Sequence, residues 1–299
     1  MKFDFETKVI HRVPATDFVQ KYHYSPVMPG ITKYHLGFYL ENKLSGVLTL
    51  GWGTKPRHTF NKMFPTAQIL EKKDGEWIHD INDMYYEIGK MCLLPELNGV
   101  GAGSQMVSAT VKWLKENTKC QFLYTMADGI MGKCGYVYQA SNFYFGEKYW
   151  TQIYMMDNGE KFHPRSSHSL CLENADFLVE KYGKDILLNY KPDPKTGERY
   201  PRWWTSDFCK HKGFKRIHGF MFRYILPLNK KSKKFMLRES SMPWSKNYPK
   251  DVDLKWKDAT DGKNKFEIDK PPFTFEEAKY NLKNMEAHKK NATLEEFLT

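Results

Sequence analysis

Residues 123–150 read Leu-Tyr-Thr-Met-Ala-Asp-Gly-Ile-Met-Gly-Lys-Cys-Gly-Tyr-Val-Tyr-Gln-Ala-Ser-Asn-Phe-Tyr-Phe-Gly-Glu-Lys-Tyr-Trp. Phe122 to Met126 is a short apolar run with β-propensity, and Asp128 with Gly129, Gly132 and Gly135 supplies turn chemistry. The stretch therefore predicts a buried strand that delivers a carboxylate, Asp128, to its carboxyl end, where ligands of open α/β sheets collect. Tyr136, Ala140, Phe143 and Tyr144 follow at helical spacing, which predicts a helix over 136–145 with Tyr136, Ala140 and Phe143 on its inner face. Tyr138, Gln139 and Asn142 then point elsewhere, and Gln139, Asn142 and Tyr144 become polar company for Asp128.

Upstream of this stretch, 83–94 (Asp-Met-Tyr-Tyr-Glu-Ile-Gly-Lys-Met-Cys-Leu-Leu) reads as a central strand, and Gly89 inside it marks a bulge or a close backbone approach. Asn98-Gly-Val-Gly-Ala-Gly-Ser104 feeds an amphipathic helix over 105–116 whose Met106, Val107, Val111 and Leu114 point inward. Such a turn presents backbone N–H groups and the positive end of the helix dipole to an anion, so it predicts a phosphate cradle. It lacks the Gly-Lys-Ser/Thr of a P-loop and the acidic strand end of a dinucleotide fingerprint. Earlier still, 12–22 reads as a helix starting near Thr16 and Asp17. His23-Tyr24 opens a proline-bounded loop, 33–40 and 44–52 form a hairpin, and 53–76 is a polar excursion.

Downstream, 151–156 and 218–226 read as strands, 174–190 and 274–288 as helices, 229–234 as a solvated basic run and 258–265 as a linker. The net charge of +11 is concentrated: Arg199 to Arg238 holds twelve Lys or Arg against one acid, Asp207, and the rest of the 299 residues sums to about zero. Basic residues interleaved with Trp203, Trp204, Phe208 and Phe214 suit a nucleic-acid surface, because cations take phosphates while rings can stack on bases; the competing reading is a solvated cationic face over a core strand. Five cysteines without a C-x-x-C pair argue against a disulfide framework and a structural zinc site. No run approaches the ~18 apolar residues of a membrane span, and the first residues hold no apolar leader segment, so no membrane partner and a cytoplasmic location are expected.

The order of hairpin, central strand, glycine turn into helix, and strand into short helix is similar to the GNAT acyltransferase fold, an α/β (α+β) architecture with a mixed central sheet flanked by helices. Narrower motifs, His23-Tyr-Ser25, Glu87-Ile-Gly-Lys90, Asn98–Ser104 and Ala127-Asp128 through Gly135-Tyr-Val-Tyr-Gln-Ala-Ser-Asn142, resemble the Mom family of DNA-modification proteins of Mu-like phages. His163-Pro-Arg165-Ser166 and Arg223-Tyr224 fit the same resemblance, which covers roughly 15–228. It implies a catalytic domain over 1–228, with the DNA-binding segment 199–228, and a basic C-terminal extension over 229–299.

The implied activity is conversion of the exocyclic amine of adenine in phage DNA to a methylcarbamoyl-type derivative that shields the genome from restriction in the cytoplasm of an infected bacterial host. The implied donor is acetyl-CoA or a related coenzyme A thioester, held by Lys90, Asn98, Gly99, Gly101, Gly103, Ser104 and Asn142. His23, Tyr24, Asp128 and Tyr144 become the catalytic candidates, and the partner becomes double-stranded DNA, with Arg165, Lys210, Lys212, Lys215 and Arg216 as its expected contacts. An acetyl thioester carries no nitrogen, so acyl transfer alone does not give that product. A His23, Tyr39 and Asp128 set could bind iron and permit a rearrangement. Two positions depart from the family pattern as it stands here: Lys90 where Arg is usual, and Lys133 where His is more frequent. A homodimer is compatible with the sequence. The alternative functions are a GNAT N-acetyltransferase acting on a protein or small-molecule amine, and a DNA-binding module without catalysis.

Overall fold

A computed structural model describes residues 2–25, 28–53, 56–65, 72–73, 76–77, 84–155, 160–162, 180, 197, 213–261, 264–270 and 279–280. Arg165, Lys210 and Lys212 lie outside the described residues, as does the helix predicted at 174–190 apart from Glu180. Of the helix predicted at 274–288 only Lys279–Tyr280 are described, and they form a strand, because their backbone pairs with Glu160–Lys161 and not with its own neighbours. In chain order the elements are β1 (Glu6–Val9), α1 (Arg12–Tyr22), β2 (Thr32–Leu40), β3 (Lys43–Gly51), α2 (Pro56–Met63), β4 (Lys72–Lys73), β5 (Glu76–Trp77), β6 (Tyr85–Leu93), α3 (Ala102–Asn117) and β7 (Phe122–Asp128). There follow α4 (Tyr136–Ala140), β8 (Tyr144–Met155), β9 (Glu160–Phe162), β10 (Lys215–Pro227), α5 (Lys230–Glu239), β11 (Trp256–Asp258), β12 (Phe266–Ile268) and β13 (Lys279–Tyr280). One mixed sheet runs β1-β2-β3-β6-β7-β10-β8-β9-β13, with β11 added to β10 and β12 to β11, while β4 and β5 pair separately. Its pairs are antiparallel except β6 with β7 and β9 with β13. This is the mixed, helix-flanked sheet expected from the order of apolar runs.

Alternation sorts the side chains onto two faces. On one, α3 lays Met106, Val107 and Leu114 against Leu36, Leu48, Tyr86, Ile88, Leu123 and Phe222. On the other, α1 covers Val47 and Cys92 with Ala15, Phe18 and Val19, and α2 and α5 bring Phe60, Phe64 and Met236 onto Tyr85, Phe122, Tyr124 and Ile225. Being covered on both sides, β6 and β7 need apolar residues at almost every position, which is why they read as runs in the sequence. Glu41 and Asn42 close the β2–β3 hairpin with φ of 48° and 65°, the paired left-handed conformation of a two-residue turn.

Several boundaries differ from expectation for identifiable reasons. Helix α1 is capped by His11, whose Nδ1 accepts from the Val13 N–H at 3.4 Å, so Thr16 and Asp17 fall inside it. Helix α3 begins at Ala102, directly after the glycine turn. The aromatic helix ends at Ala140: Asn142 takes φ 62°, Phe143 is buried, and Tyr144 already belongs to β8. Tyr138 is the buried ring of that helix, while Tyr136 is 51% exposed. The polar excursion contains α2, held by buried Phe60, Met63 and Phe64. The basic run after Leu228 is solvated as expected but helical: Asn229 caps α5, its side chain accepting from the Ser232 N–H at 2.8 Å.

Residues beyond 228 join the same sheet. Trp244 is buried in the α2–α5 cluster, Ser245 and Phe145 exchange both backbone hydrogen bonds at 2.9 Å, and β11 pairs with Ile217–Gly219 of β10. The predicted linker at 258–265 connects β11 to β12. Among the described residues no helix is long and apolar enough to cross a membrane.

Candidate active site

The parallel strands β6 and β7 pair only through Tyr85 with Phe122, Tyr86 with Leu123 and Glu87 with Tyr124. Beyond those three rows β6 runs on to Leu93 and β7 to Asp128 without a shared ladder, so the sheet opens as a wedge towards their carboxyl ends. The register of β6 with β3 shows why. Leu50 faces Ile88 and Thr49 faces Lys90, which leaves Gly89 as an extra residue, the bulge its sequence position predicts. A Cβ on Gly89 would lie 2.6 Å from Pro29 Cγ, so only glycine lets the neighbouring loop approach so closely. At the vertex Thr125 Oγ1 donates to the Ile88 carbonyl at 3.4 Å.

One tripeptide spans the mouth of the wedge. The His23 N–H closes α1 on the Val19 carbonyl at 2.9 Å, and His23 Nδ1 accepts from the Ser25 N–H at 2.9 Å. Its ring stacks on Tyr24 at a centroid distance of 4.4 Å. Tyr24 then donates to Asp128 Oδ2 across 3.4 Å, while Lys90 Nζ donates to Ser25 Oγ at 2.6 Å. Thus Tyr24 and Ser25 reach the two diverging strands, β7 and β6 respectively. Asp128 Oδ1 accepts from the N–H groups of Ile130 (3.1 Å) and Met131 (3.4 Å), which fixes the carboxylate over the turn that follows. His23, Tyr24, Lys90 and Asp128 are therefore brought together.

Other predicted site residues are placed elsewhere. Gln139 Nε2 donates to the carbonyls of Pro249 (3.0 Å) and Cys134 (3.3 Å) and to the Tyr224 hydroxyl (3.2 Å). Asn142 is the left-handed residue that ends α4, and its carbonyl accepts from Lys246 Nζ. Tyr144 faces Ile225 on β10 whereas Asp128 faces Met221. Four strand residues separate these rows, about 13 Å, so Tyr144 does not share the mouth with Asp128.

The glycine turn stands at the amino end of α3. Gly99 and Gly101 take φ of 79° and 84°, and Gly101 gives α3 an N-cap without a side chain. The first N–H groups of a helix have no partner within it, so those at Ala102–Ser104 face the turn. Asn98, Gly99 and Gly101 are exposed there, and Ser104 Oγ donates to the Gly101 carbonyl at 2.9 Å. The requirement at Gly101 is conformational: a Cβ would meet nothing nearer than Gln105 Nε2 at 4.0 Å. Gly103 serves packing instead, because its Cβ would come within 3.0 Å of Val137 on α4.

On the face shared by Phe122, Tyr124, Met126 and Asp128 lies a polar cluster that the sequence reading missed. Arg223, 9% exposed, is ion-paired with Glu147 and lies 4.1 Å from the Tyr149 ring centroid. Tyr149 donates to Met126 Sδ at 3.0 Å. Burial, with the negative charge of Glu87 beside it, holds the Tyr124 phenol well above its ordinary pKa, and Arg223 opposes that shift. Tyr124 is therefore a neutral donor at physiological pH. The available signal was a charge inside an otherwise apolar run, Glu87 in β6 and Arg223 in β10.

The three-residue iron set is not assembled. Tyr39 faces Leu44 at the far end of the β2–β3 hairpin, with Lys8 Nζ 5.3 Å from its ring, while Asp128 ends β7. Among the described residues no group of three or more His, Cys, Asp or Glu could hold a metal ion. Of the predicted DNA contacts, Lys215 and Arg216 are successive residues of β10 and so point to opposite faces of the sheet. Arg216 Nε also donates to Gln152 Oε1 at 2.7 Å.

Against known proteins, the chain has no match among curated sequences. Solved structures give loose similarities. A GNAT family N-acetyltransferase from Escherichia coli in complex with CoA is 12% identical over 48% of this chain and 70% of its own, with a TM-score of 0.30. An aminoglycoside acetyltransferase with coenzyme A is 12% identical over 49% and 87%, TM-score 0.33. A Bacillus subtilis acetyltransferase with CoA is 13% identical over 76% and 100%, TM-score 0.33. Scores this low carry no argument about the wedge or its ligand. The sequence comparison shows the family alone: residues 4–250 match the Mom protein family, a span that includes α5 and both strands of the wedge, and the chain belongs to that family.

Proposed function

We propose that the chain modifies the exocyclic N6 of adenine in DNA, using a coenzyme A thioester bound in the wedge between β6 and β7. The observation that carries this reading is the divergence of the two strands beyond Glu87 and Tyr124, headed by the glycine turn of α3. An extended chain bearing amides, such as the pantetheine arm, satisfies an open strand edge as an added strand would. The pyrophosphate then meets the N–H groups of Ala102–Ser104 and the positive end of the α3 dipole. Gly99 and Gly101 shape that turn, and Asn98 stands exposed beside it.

Adenine N6 is conjugated with its ring and nucleophilic only weakly, and inside a duplex it is out of reach, so the base has to be flipped into the mouth. There N6 attacks the thioester carbonyl carbon, the C–S bond breaks, and the N6 proton passes to Asp128. Tyr24, already hydrogen-bonded to that carboxylate, is the phenol placed to return a proton to the thiolate. Lys90, whose ammonium is held over the mouth by Ser25, offers positive charge to the developing oxyanion. This accounts for the N–C bond at N6. The methylcarbamoyl-type product that the family resemblance implies contains one nitrogen more than an acetyl group supplies. In a bacteriophage setting such a group on adenine shields DNA from host restriction.

The test is mass spectrometry of nucleosides from DNA of cells that express the chain. An altered deoxyadenosine is expected. Unaltered nucleosides from a folded, well-expressed preparation that acetylates a protein or small amine would replace this reading with the ordinary acetyltransferase one.

A further inference from the structure

Helix α5 carries Lys230, Lys231, Lys233, Lys234 and Arg238 against a single acid, Glu239. All five cations are exposed. The opposite side is anchored: Met236 is buried, and the Phe235 ring centroid lies 5.4 Å from Phe64 and 6.2 Å from Phe122. The helix therefore presents its charges rigidly.

For an isolated protein this arrangement is unfavourable twice over. Lys230 with Lys233 and Lys234, and Lys231 with Lys234, are like-charged neighbours at three- and four-residue spacing. All four stand in the amino-terminal half, where the helix dipole prefers anions, and the first turn contains no acid. The free N–H groups are not the attraction, because the Asn229 side chain already caps Ser232. A sixth cation arrives from a separate segment. Lys246 Nζ lies 3.9 Å from the Tyr144 ring centroid, with Lys233 Nζ 5.8 Å from the same ring. Burial and the charge of Lys233 make it harder for Lys246 to hold its proton.

We infer that α5 with Lys246 is a phosphate-binding rail for double-stranded DNA, an inference that rests on DNA being the substrate. Geometry supports the pairing of rail and site. Phe122, packed against α5, and Asp128, at the mouth, sit on the same face of β7 six residues apart. At about 3.3 Å per residue that is roughly 20 Å, the length of about six base pairs. A duplex lying along β7 with its target adenine at Asp128 has its backbone over α5. The bound phosphates relieve the repulsion among the lysines, which gives a reason for an arrangement that otherwise only lowers stability.

The experiment replaces Lys230, Lys231, Lys233 and Lys234 together by Gln in the full chain and measures affinity for a roughly 20-base-pair duplex across a salt series. Each lost phosphate contact lowers the slope of log affinity against log salt by about 0.9, so four lower it by up to ~3.6. Between about 50 and about 200 mM salt the wild type then loses on the order of 10²-fold more affinity than the variant. Thermal melting of the free variant is unchanged or raised, the opposite direction from a variant that loses DNA through unfolding. A steep wild-type slope that the substitutions leave unaltered overturns the rail and spares the DNA reading. A wild type with no salt-dependent duplex binding overturns both.

Discussion

The two halves of the β6–β7 pair make opposite use of one strand geometry. In the amino-terminal half three rows are in register, and Tyr85, Tyr86, Phe122 and Leu123 are buried around them. In the carboxyl-terminal half the ladder is gone, a bulge at Gly89 bends β6 away, and Lys90 and Asp128 are joined through Ser25 and Tyr24 instead of through backbone bonds. The difference teaches where the sheet is stability and where it is site. Three rows buried on both faces hold the strands while their ends stay apart.

The largest effects should separate the halves cleanly. Asp128→Asn keeps an oxygen to cap the Ile130 and Met131 N–H groups but cannot accept the N6 proton. DNA modification should fall by ~10²–10⁴-fold with the melting temperature nearly unchanged. An active variant moves the proton acceptor elsewhere. Phe122→Ala, in the closed half, should do the reverse: a loss of about 3–5 kcal/mol in denaturant unfolding, with coenzyme A affinity retained in the fraction that stays folded. Weakened binding at full stability would blur the division.

A smaller effect lies further along the same sheet. Burial first, then the charges of Arg216, Lys265 and Lys257, lower His218 from 6.5 to about 4. Its Nε2 is buried with no hydrogen-bond partner among the described residues. As pH falls through 6.5 the unfolded chain takes up the proton first. Stability therefore declines between about pH 6.5 and pH 4, by roughly 1–3 kcal/mol, and this contribution levels off below that. His218→Leu should match the wild type at pH 7 and be the more stable of the two near pH 4. Parallel curves for both proteins would remove His218 from the account. The smallest expected effect is at the turn. Gly101→Ala forces a Cβ into φ 84° at a cost of about 1–2 kcal/mol, and coenzyme A affinity measured by calorimetry should drop about tenfold. Unchanged affinity would take the turn out of the site.

Much of the closed half was legible in the sequence, because strands covered on both faces must be apolar throughout. The bulge was legible too, as a glycine inside such a run. The end of α4 was not: Tyr136, Phe143 and Tyr144 satisfy a helical period, and only the left-handed turn at Asn142 hands the last of them to β8. Nor was α5, since a lysine run reads as solvated unless the Asn229 cap and Met236 are weighed against it. In the site, Asp128 and the glycine turn were visible from local chemistry. The contact of Asp128 with Tyr24 joins residues 104 apart and belongs to the tertiary fold, whereas Glu87 and Arg223 stood out only as parts of separate motifs, and their place around Tyr124 was not legible.

Hydrogen exchange with and without coenzyme A tests the wedge most directly. New protection is predicted at those amides of 88–93 that point away from β3 and at the turn into α3. The amides of 85–87 and 122–124 stay unchanged because their ladder already exists, and so does the Lys90 N–H, which already donates to Thr49 Oγ1 at 2.8 Å. Binding of coenzyme A that leaves 88–93 exchanging as before, or that protects only surfaces away from β6 and β7, would contradict it.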